Sequence, residues 1–395
     1  MKVSAKYLFT VSLAVAFLAG AFLSTPNARA CSWSYIIWGM RTKPADPLFR
    51  FERNHKAGYI DSSGKIILEP TLPAGDNSFG EFHEGLLAVK DDDGYRYIDR
   101  SGSVVFNVDA WLAFDFSEGL APAAKYDGKP KWGFIDRSGH FVIPPQYFGV
   151  DPFSEGLARV SVSSEVGSTG YIDKQGNFAI PARLSYGSSF HEGRAAVIID
   201  GPCRIANGGS CARPEFRPTQ PAATYDCRYA FIDRSGMPVS DLRFEDALDF
   251  SEGLAAVLLD GKWGYVDRSG RITISQQFDS AESFSEGVAT VRQNGKTGFI
   301  DHSGNFVIVP GFEFPFMSVG SFSDGRALIA KTEGAGKTVY QFIDKTGNPA
   351  FPGKFAAASP FAYGLAHVAL QGRGGGNHAW INTSGKVVFA YSDKH

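Results

Sequence analysis

Lys131 to Tyr147 reads KWGFIDRSGHFVIPPQY. An apolar stretch runs to Ile135, a four-residue turn follows at Asp136–Gly139, and apolar residues resume at Phe141. Asp at the start of such a turn can bond its backbone, and Gly at the end tolerates positive φ, so the segment predicts two strands joined by a tight turn. Working outward, the same phrase recurs. It reads GYIDSSG at Gly58–Gly64, YIDRSG at Tyr97–Gly102, GYIDKQG at Gly170–Gly176 and FIDRSG at Phe231–Gly236. It continues as GYVDRSG at Gly264–Gly270, GFIDHSG at Gly298–Gly304, FIDKTG at Phe342–Gly347 and WINTSG at Trp380–Gly385. The turn residues are Asp61, Asp99, Asp136, Asp173, Asp233, Asp267, Asp301 and Asp344, then Asn382, in steps of 38, 37, 37, 60, 34, 34, 43 and 38.

A second phrase, Phe-x-Glu-Gly-Leu-Ala, alternates with the first. It begins at Phe82, Phe116, Phe153, Phe190, Phe250 and Phe284, then as FSDGRA at Phe322 and FAYGLA at Phe361. Leu48 stands before Gly58 at the offset that Leu254 has from Gly264, which marks a degenerate first unit. The long step of 60 locates an insertion at about 198–229, which holds Cys203, Cys211 and Cys227 and reads as a surface loop. Repetition at this period points to one repeat domain over 48–395 rather than several unrelated domains.

The phrases KWGFIDRSG and KWGYVDRSG, with Trp132-Gly133 and Trp263-Gly264, resemble the WG (KWG) repeat family, found mainly in bacterial proteins. The resemblance covers roughly 48–390, although the Trp slot elsewhere holds Ala57, Arg96, Thr169, Ala230, Thr297, Gln341 and Ala379. It implies a β-rich repeat domain and no defined activity. The residues that carry the repeat are Trp132, Gly133, Asp136, Gly139, Trp263, Gly264, Asp267, Gly270, Glu155 and Gly156.

One unit, Phe250 to Phe284, shows what a repeat is expected to form. Glu252-Gly253 is a turn, Leu254–Leu258 a strand, and Asp260-Gly261 a hairpin signal. Trp263–Val266 is a second strand, Asp267–Gly270 a second turn, Arg271–Ser275 a third strand, and Gln277–Ala281 a short fourth. A four-stranded meander of this size cannot bury both faces alone, so copies must stack. The first strand is rich in small residues and the later ones in bulky residues, a taper that suits blades about an axis. The expectation is an all-β repeat protein, a β-propeller of about eight or nine four-stranded blades. The alternative is an open β-solenoid of stacked hairpins.

Composition agrees. Of 395 residues, 45 are Gly and 14% are aromatic, and the formal net charge is −2. So many aromatics exclude disorder as the main state. Residues 1–30 hold Lys2, Lys6 and an apolar run from Tyr7 to Leu23, ending in Ala28-Arg29-Ala30, which reads as a cleavable signal peptide. They carry three basic and no acidic groups, so the mature chain has 36 basic against 41 acidic residues, a formal charge of −5. That removes any electrostatic case for nucleic acid. No integral span is expected after cleavage. Residues 31–47 form an N-terminal extension. Export, to the periplasm or beyond, places the four cysteines in an oxidising space. Three connectivities are possible; Cys203 with Cys211 is preferred, leaving Cys227 for Cys31. Lipidation of Cys31 is the rival. No two cysteines have the spacing of a zinc site.

Chemistry is scarce. The recurring Asp precedes a Gly turn each time and reads as a turn cap. The recurring Glu84, Glu118, Glu155, Glu192, Glu252 and Glu286 read as hydrogen-bonded turn residues. Asp91-Asp92-Asp93-Gly94 lacks the spaced ligands of a calcium loop. His83 and His191 stand in the Ser slot of Phe-Ser-Glu-Gly, and no histidine pair has metalloprotease spacing. Gly372–Gly376 reads as a hairpin loop. Neither a catalytic residue, a metal site nor a cofactor is expected. The function expected is a non-catalytic binding or scaffold protein for a protein, peptide or glycan. The alternative is an envelope glycan hydrolase or lyase on a propeller, which needs carboxylates that break the repeat.

Overall fold

The computed structural model describes residues 46–73, 81–91, 94–165, 167–200, 228–312, 320–333, 337–370 and 377–392. The expected signal peptide, Cys31, Cys203, Cys211, Cys227, Asp92, Asp93 and Gly372–Gly376 lie outside them. The described residues form nine antiparallel sheets and no helix. In chain order the strands of sheets 1 to 9 span 49–73, 87–108, 112–147, 149–184, 186–232, 246–278, 280–312, 327–343 and 357–392. Sheets 3, 4, 6, 7 and 9 have four strands, sheets 1, 2 and 5 three, and sheet 8 two. Each sheet is built from one continuous stretch of chain, with no strand lent to a neighbour.

Strand order corrects one expectation. The last strand of sheet 6 is Ile272–Phe278, and Ser280–Ala281 pairs with Ala289–Gln293 in sheet 7. Lys262–Asp267 already has partners on both edges, so the chain crosses to the open edge of the next sheet. The Asp279 N–H donates to the Arg292 carbonyl at 2.7 Å as it does so. A full sheet therefore starts with a two-residue strand, followed by the small-residue strand. The taper starts one strand further in than expected. In sheets 5 and 8 the fourth strand is replaced by bridges of Pro238 with Ile232 and Phe244 with Tyr229, and of Pro349 with Ile343 and Phe355 with Tyr340. Proline has no N–H to continue the ladder.

The third strand shows why Gly follows Trp. A Cβ at Gly133 would lie 2.3 Å from the Ile143 carbonyl oxygen, and at Gly264 2.5 Å from that of Ile274. The fourth strand crosses too close for any side chain there. Trp132 stacks on Phe114 at 5.2 Å, and Trp263 is buried.

Neighbouring sheets are joined by aromatic pairs. The aromatic residue before Ile-Asp meets the Phe of the next Phe-x-Glu-Gly loop: Tyr59 with Phe82, Tyr97 with Phe116, Phe134 with Phe153 and Tyr171 with Phe190, with ring centroids 4.8–5.1 Å apart. Phe231 with Phe250, Tyr265 with Phe284, Phe299 with Phe322 and Phe342 with Phe361 continue the series at 4.7–5.0 Å. The last sheet meets the first through a different contact, Trp380 with Phe49 at 5.1 Å, where Phe49 lies on the strand Phe49–Arg53 and not in a Phe-x-Glu-Gly loop. The Tyr97, Tyr171 and Tyr265 hydroxyls donate to carbonyls of the following sheet at Phe114, Ser188 and Glu282, at 2.5–2.8 Å. Burial pushes the pKa of these three phenols up.

Candidate functional site: two unlike ends of the sheets

The meander sorts the loops. The Phe-x-Glu-Gly loops and the Asp-x-x-Gly turns emerge at one end of each sheet. The hairpins between the second and third strands, and the crossings to the next sheet, emerge at the other. Ile198 and Tyr229, which flank the insertion, pair at the hairpin end of sheet 5.

At the first end every turn is closed internally. Asp136 Oδ1 accepts from the Ser138 N–H (2.9 Å), the Ser138 hydroxyl (2.5 Å) and the His140 N–H (3.2 Å). Asp267 does the same with Ser269 and Arg271, while Gly139 and Gly270 carry φ of 83° and 79°. The Ser138 hydroxyl, followed by the backbone bonds, holds the Asp136 carboxyl below the usual carboxylate range. Asp61, Asp99, Asp173, Asp233, Asp301 and Asp344 are lowered likewise by turn hydrogen bonds. Asn382 makes the same turn with a neutral amide oxygen.

The recurring Glu does something the sequence reading missed. Its carboxylate accepts the N–H of the equivalent Gly in the next sheet. Glu84 takes Gly119 at 3.1 Å, Glu118 takes Gly156 at 2.9 Å and Glu155 takes Gly193 at 2.8 Å. Glu192 takes Gly253 and Glu252 takes Gly287, both at 2.9 Å; Glu286 takes Gly325 at 2.8 Å and Asp324 takes Gly364 at 2.7 Å. All seven acids sit at φ between 50° and 55°, which aims them forward. That backbone region is strained for non-Gly residues and persists where surroundings enforce it. A basic residue after the turn Asp often joins the same carboxylate: Arg137 on Glu84 (3.3 Å), Lys174 on Glu118 (3.2 Å), His302 on Glu252 (3.2 Å) and Lys345 on Glu286 (3.7 Å). The Ser slot adds a second tie, from Ser117, Ser154, Ser251 and Ser285 to the next Phe carbonyl, each at 2.7 Å. His83 and His191 fill that slot where the next sheet offers Asp115 (3.3 Å) and Asp249 (3.7 Å). These seven junctions are latched.

The two flanks of sheet 1 differ. Sheet 9 carries Ala362-Tyr363 in place of Ser-Glu, so it has neither the Ser hydroxyl nor a carboxylate to send forward. Sheet 1 carries Pro47 in the Gly slot, with no N–H to give, and its turn holds Ser62, as that of sheet 9 holds Thr383, where the other seven hold Arg, Lys or His. Pro47 also biases Asp46 toward extended backbone, away from the conformation of the seven latching acids. Sheet 2 ties back instead through the Arg100 guanidinium, which donates to the Asp46 carbonyl. Between sheets 9 and 1 the Trp380 indole donates to the Arg50 carbonyl at 3.1 Å. Phe51 packs on Phe389 and Tyr391 at 4.8 and 5.8 Å. An open cleft of about 560 Å³ lies beside them, lined by Ser62, Ser63, Gly364, Leu365, Lys386 and Val388 among others.

The hairpin end is less uniform. Trp111 and Phe148 hold the same place in sheets 3 and 4, each just before the two-residue strand. Both are 46% exposed. The same place holds Ser185, Glu245, Asp279 and Ala356 in sheets 5, 6, 7 and 9. Tyr126 lies against Trp111 at 5.4 Å, and Tyr186 against Tyr229 at 6.2 Å. Tyr126, Val162 and Tyr186 are also exposed. Sheets 3 to 5 thus show four exposed aromatic rings at one end. Nearby carboxylates are paired, Asp109 with Lys125 (2.9 Å) and Asp151 with Arg159 (2.5 Å). Among the described residues no group of three or more His, Cys, Asp or Glu is placed to hold a metal ion, and no helix is long and apolar enough to cross a membrane.

A family model described as WG containing repeat matches residues 58–95, 132–164, 170–201, 229–263, 263–296, 298–333 and 342–372. Each window begins on the third strand of one sheet, or its edge, and ends at or beyond the second strand of the next. No curated protein matches the chain in sequence. Among solved structures, the crystal structure of "the eukaryotic initiation factor" is similar in fold. It is 12% identical with a TM-score of 0.59, over 89% of this chain and 96% of that one. The WD40 domain of Toxoplasma gondii coronin is 12% identical with a TM-score of 0.29, over 69% and 68%.

Proposed function

From the chain's membership of the WG containing repeat family, we propose that it is an exported, non-catalytic binding scaffold. Its nine sheets form a closed, propeller-like ring that presents its hairpin end to a protein, peptide or glycan. The contact of the last sheet with the first, Trp380 with Phe49, supports closure. The binding reading rests on one observation: sheets 3 to 5 leave Trp111, Tyr126, Phe148 and Tyr186 exposed at one end. Exposed aromatic patches mark interaction sites, and Trp and Tyr are the residues that anchor them. The latch end is a poor candidate because its polar groups are already engaged.

The test is retention of partners from an envelope extract by the mature protein, compared with a variant carrying Trp111→Ala, Tyr126→Ala, Phe148→Ala and Tyr186→Ala. Loss of a specific partner or glycan in the variant, with its melting unchanged, supports the reading. Full retention places binding elsewhere. Mass spectrometry of the mature amino terminus tests export: cleavage after Ala30 is expected, and an intact Met1 contradicts it.

A further inference from the structure

We propose that sheet 1 is an exchangeable unit, and that the gap it fills accepts sheet 1 of a second copy of this chain. The seven junctions from sheet 2 to sheet 9 each carry an acid-to-glycine latch, and both flanks of sheet 1 lack it. One residue accounts for both losses. Pro47 has no N–H for an acid in sheet 9 to hold, and it turns Asp46 away from Gly85 in sheet 2. Sheet 9 matches this with Tyr363 where the other loops have Glu or Asp. Two matched losses, Pro47 and Tyr363, at one boundary point to an interface that is packed but lacks the acid-to-glycine latch.

Sheet 1 is one continuous stretch of three strands, and among the described residues it lends no strand to another sheet. What it leaves behind is apolar. One flank is Leu365, Trp380, Phe389 and Tyr391, packed on Phe49 and Phe51. The other is Leu87, Val89 and Ile98, packed on Tyr59. Two apolar walls a sheet's width apart do not remain open to water. The surface complementary to both is that of sheet 1 itself, and a second copy supplies it in the geometry of an exchanged dimer.

The test mixes two preparations of the full chain, one with a donor dye at Glu69 on sheet 1 and one with an acceptor at Lys386 on sheet 9. At high protein concentration, energy transfer between copies is expected to grow together with a dimer seen by light scattering. The double variant Pro47→Gly with Tyr363→Glu restores donor and acceptor at the boundary, and is expected to reduce transfer at least fivefold. Amide exchange provides the second measurement, with sheet 1 exchanging at least tenfold faster than sheets 3 to 7 in the monomer. Absence of transfer after transient opening in mild urea overturns the proposal. So does equal transfer in the double variant, or uniform protection across all sheets.

Discussion

The junction between sheets 4 and 5 and the boundary between sheets 9 and 1 each bring two aromatic rings together, yet they are finished differently. Tyr171 meets Phe190 at 5.0 Å and Trp380 meets Phe49 at 5.1 Å. The first is also tied by the Glu155 carboxylate on the Gly193 N–H and by the Ser154 hydroxyl on the Phe190 carbonyl. The second carries the Trp380 indole bond to the Arg50 carbonyl and no acid-to-glycine latch. The difference separates two jobs. Burial brings sheets together at every junction, while the loop hydrogen bonds fix register where a neighbour is present to receive them. The repeat rule is broken where sheet 9 meets sheet 1, at Ala362, Tyr363 and Pro47 together.

The largest effect should come from removing the aromatic pair on each side of this comparison. Phe190→Ala empties a fully buried site beside Tyr171 and is expected to cost about 3–5 kcal/mol in a single urea transition. Trp380→Ala should instead split the transition, with sheet 1 lost first and the remaining sheets melting near the wild-type midpoint. A single transition with the same loss in both variants would erase the distinction.

A smaller effect is expected from the latch. Glu155→Ala removes a partly exposed, charge-assisted bond and should lower stability by roughly 1 kcal/mol. Tyr363→Ala, in the same slot at the unlatched boundary, should change it by no more than about half as much. Equal losses on thermal melting would show that the carboxylate contributes nothing beyond its backbone position.

Much of this was legible in the sequence, for physical reasons. The Asp-x-x-Gly and Glu-Gly phrases are local: Asp136 and Gly139 bond within five residues, so spacing alone located the turns. The Trp-Gly pair located a strand, expected as the second of its unit and found as the third. What spacing did not show was partnership across repeats. Glu155 meets Gly193, 38 residues on, and both look like ordinary turn residues in isolation. The clue was present in FAYGLA and Pro47, whose departures are meaningful once the two loops face each other. Assignment of the two-residue strand to the following sheet was missed too, since Ser280 and Ala281 carry no signal for which edge they join. The exposed rings at Trp111, Tyr126, Phe148 and Tyr186 were invisible because aromatics occur throughout the repeat and burial alone tells them apart.

The smallest effect concerns pH. The turn carboxyls, Asp136 among them, sit below their ordinary value in the folded chain. Their contribution is therefore complete above the unfolded value of about 3.9 and is lost as pH falls through the lower folded value. Asp136→Asn should keep the turn, as Asn382 does, and make melting slightly less sensitive between neutral pH and pH 3. An unchanged pH profile would mean that this turn charge is uncoupled from folding.

The central claim is that Tyr363 and Pro47 face each other across the boundary that closes the ring. A double-mutant cycle in urea tests it: wild type, Pro47→Gly, Tyr363→Glu, and both together. Each single change should do little, because it supplies a donor without an acceptor or the reverse. Together they should add a latch, seen as a favourable coupling of roughly 1 kcal/mol. A coupling of zero, with all four proteins folded, would contradict a closed ring with this boundary.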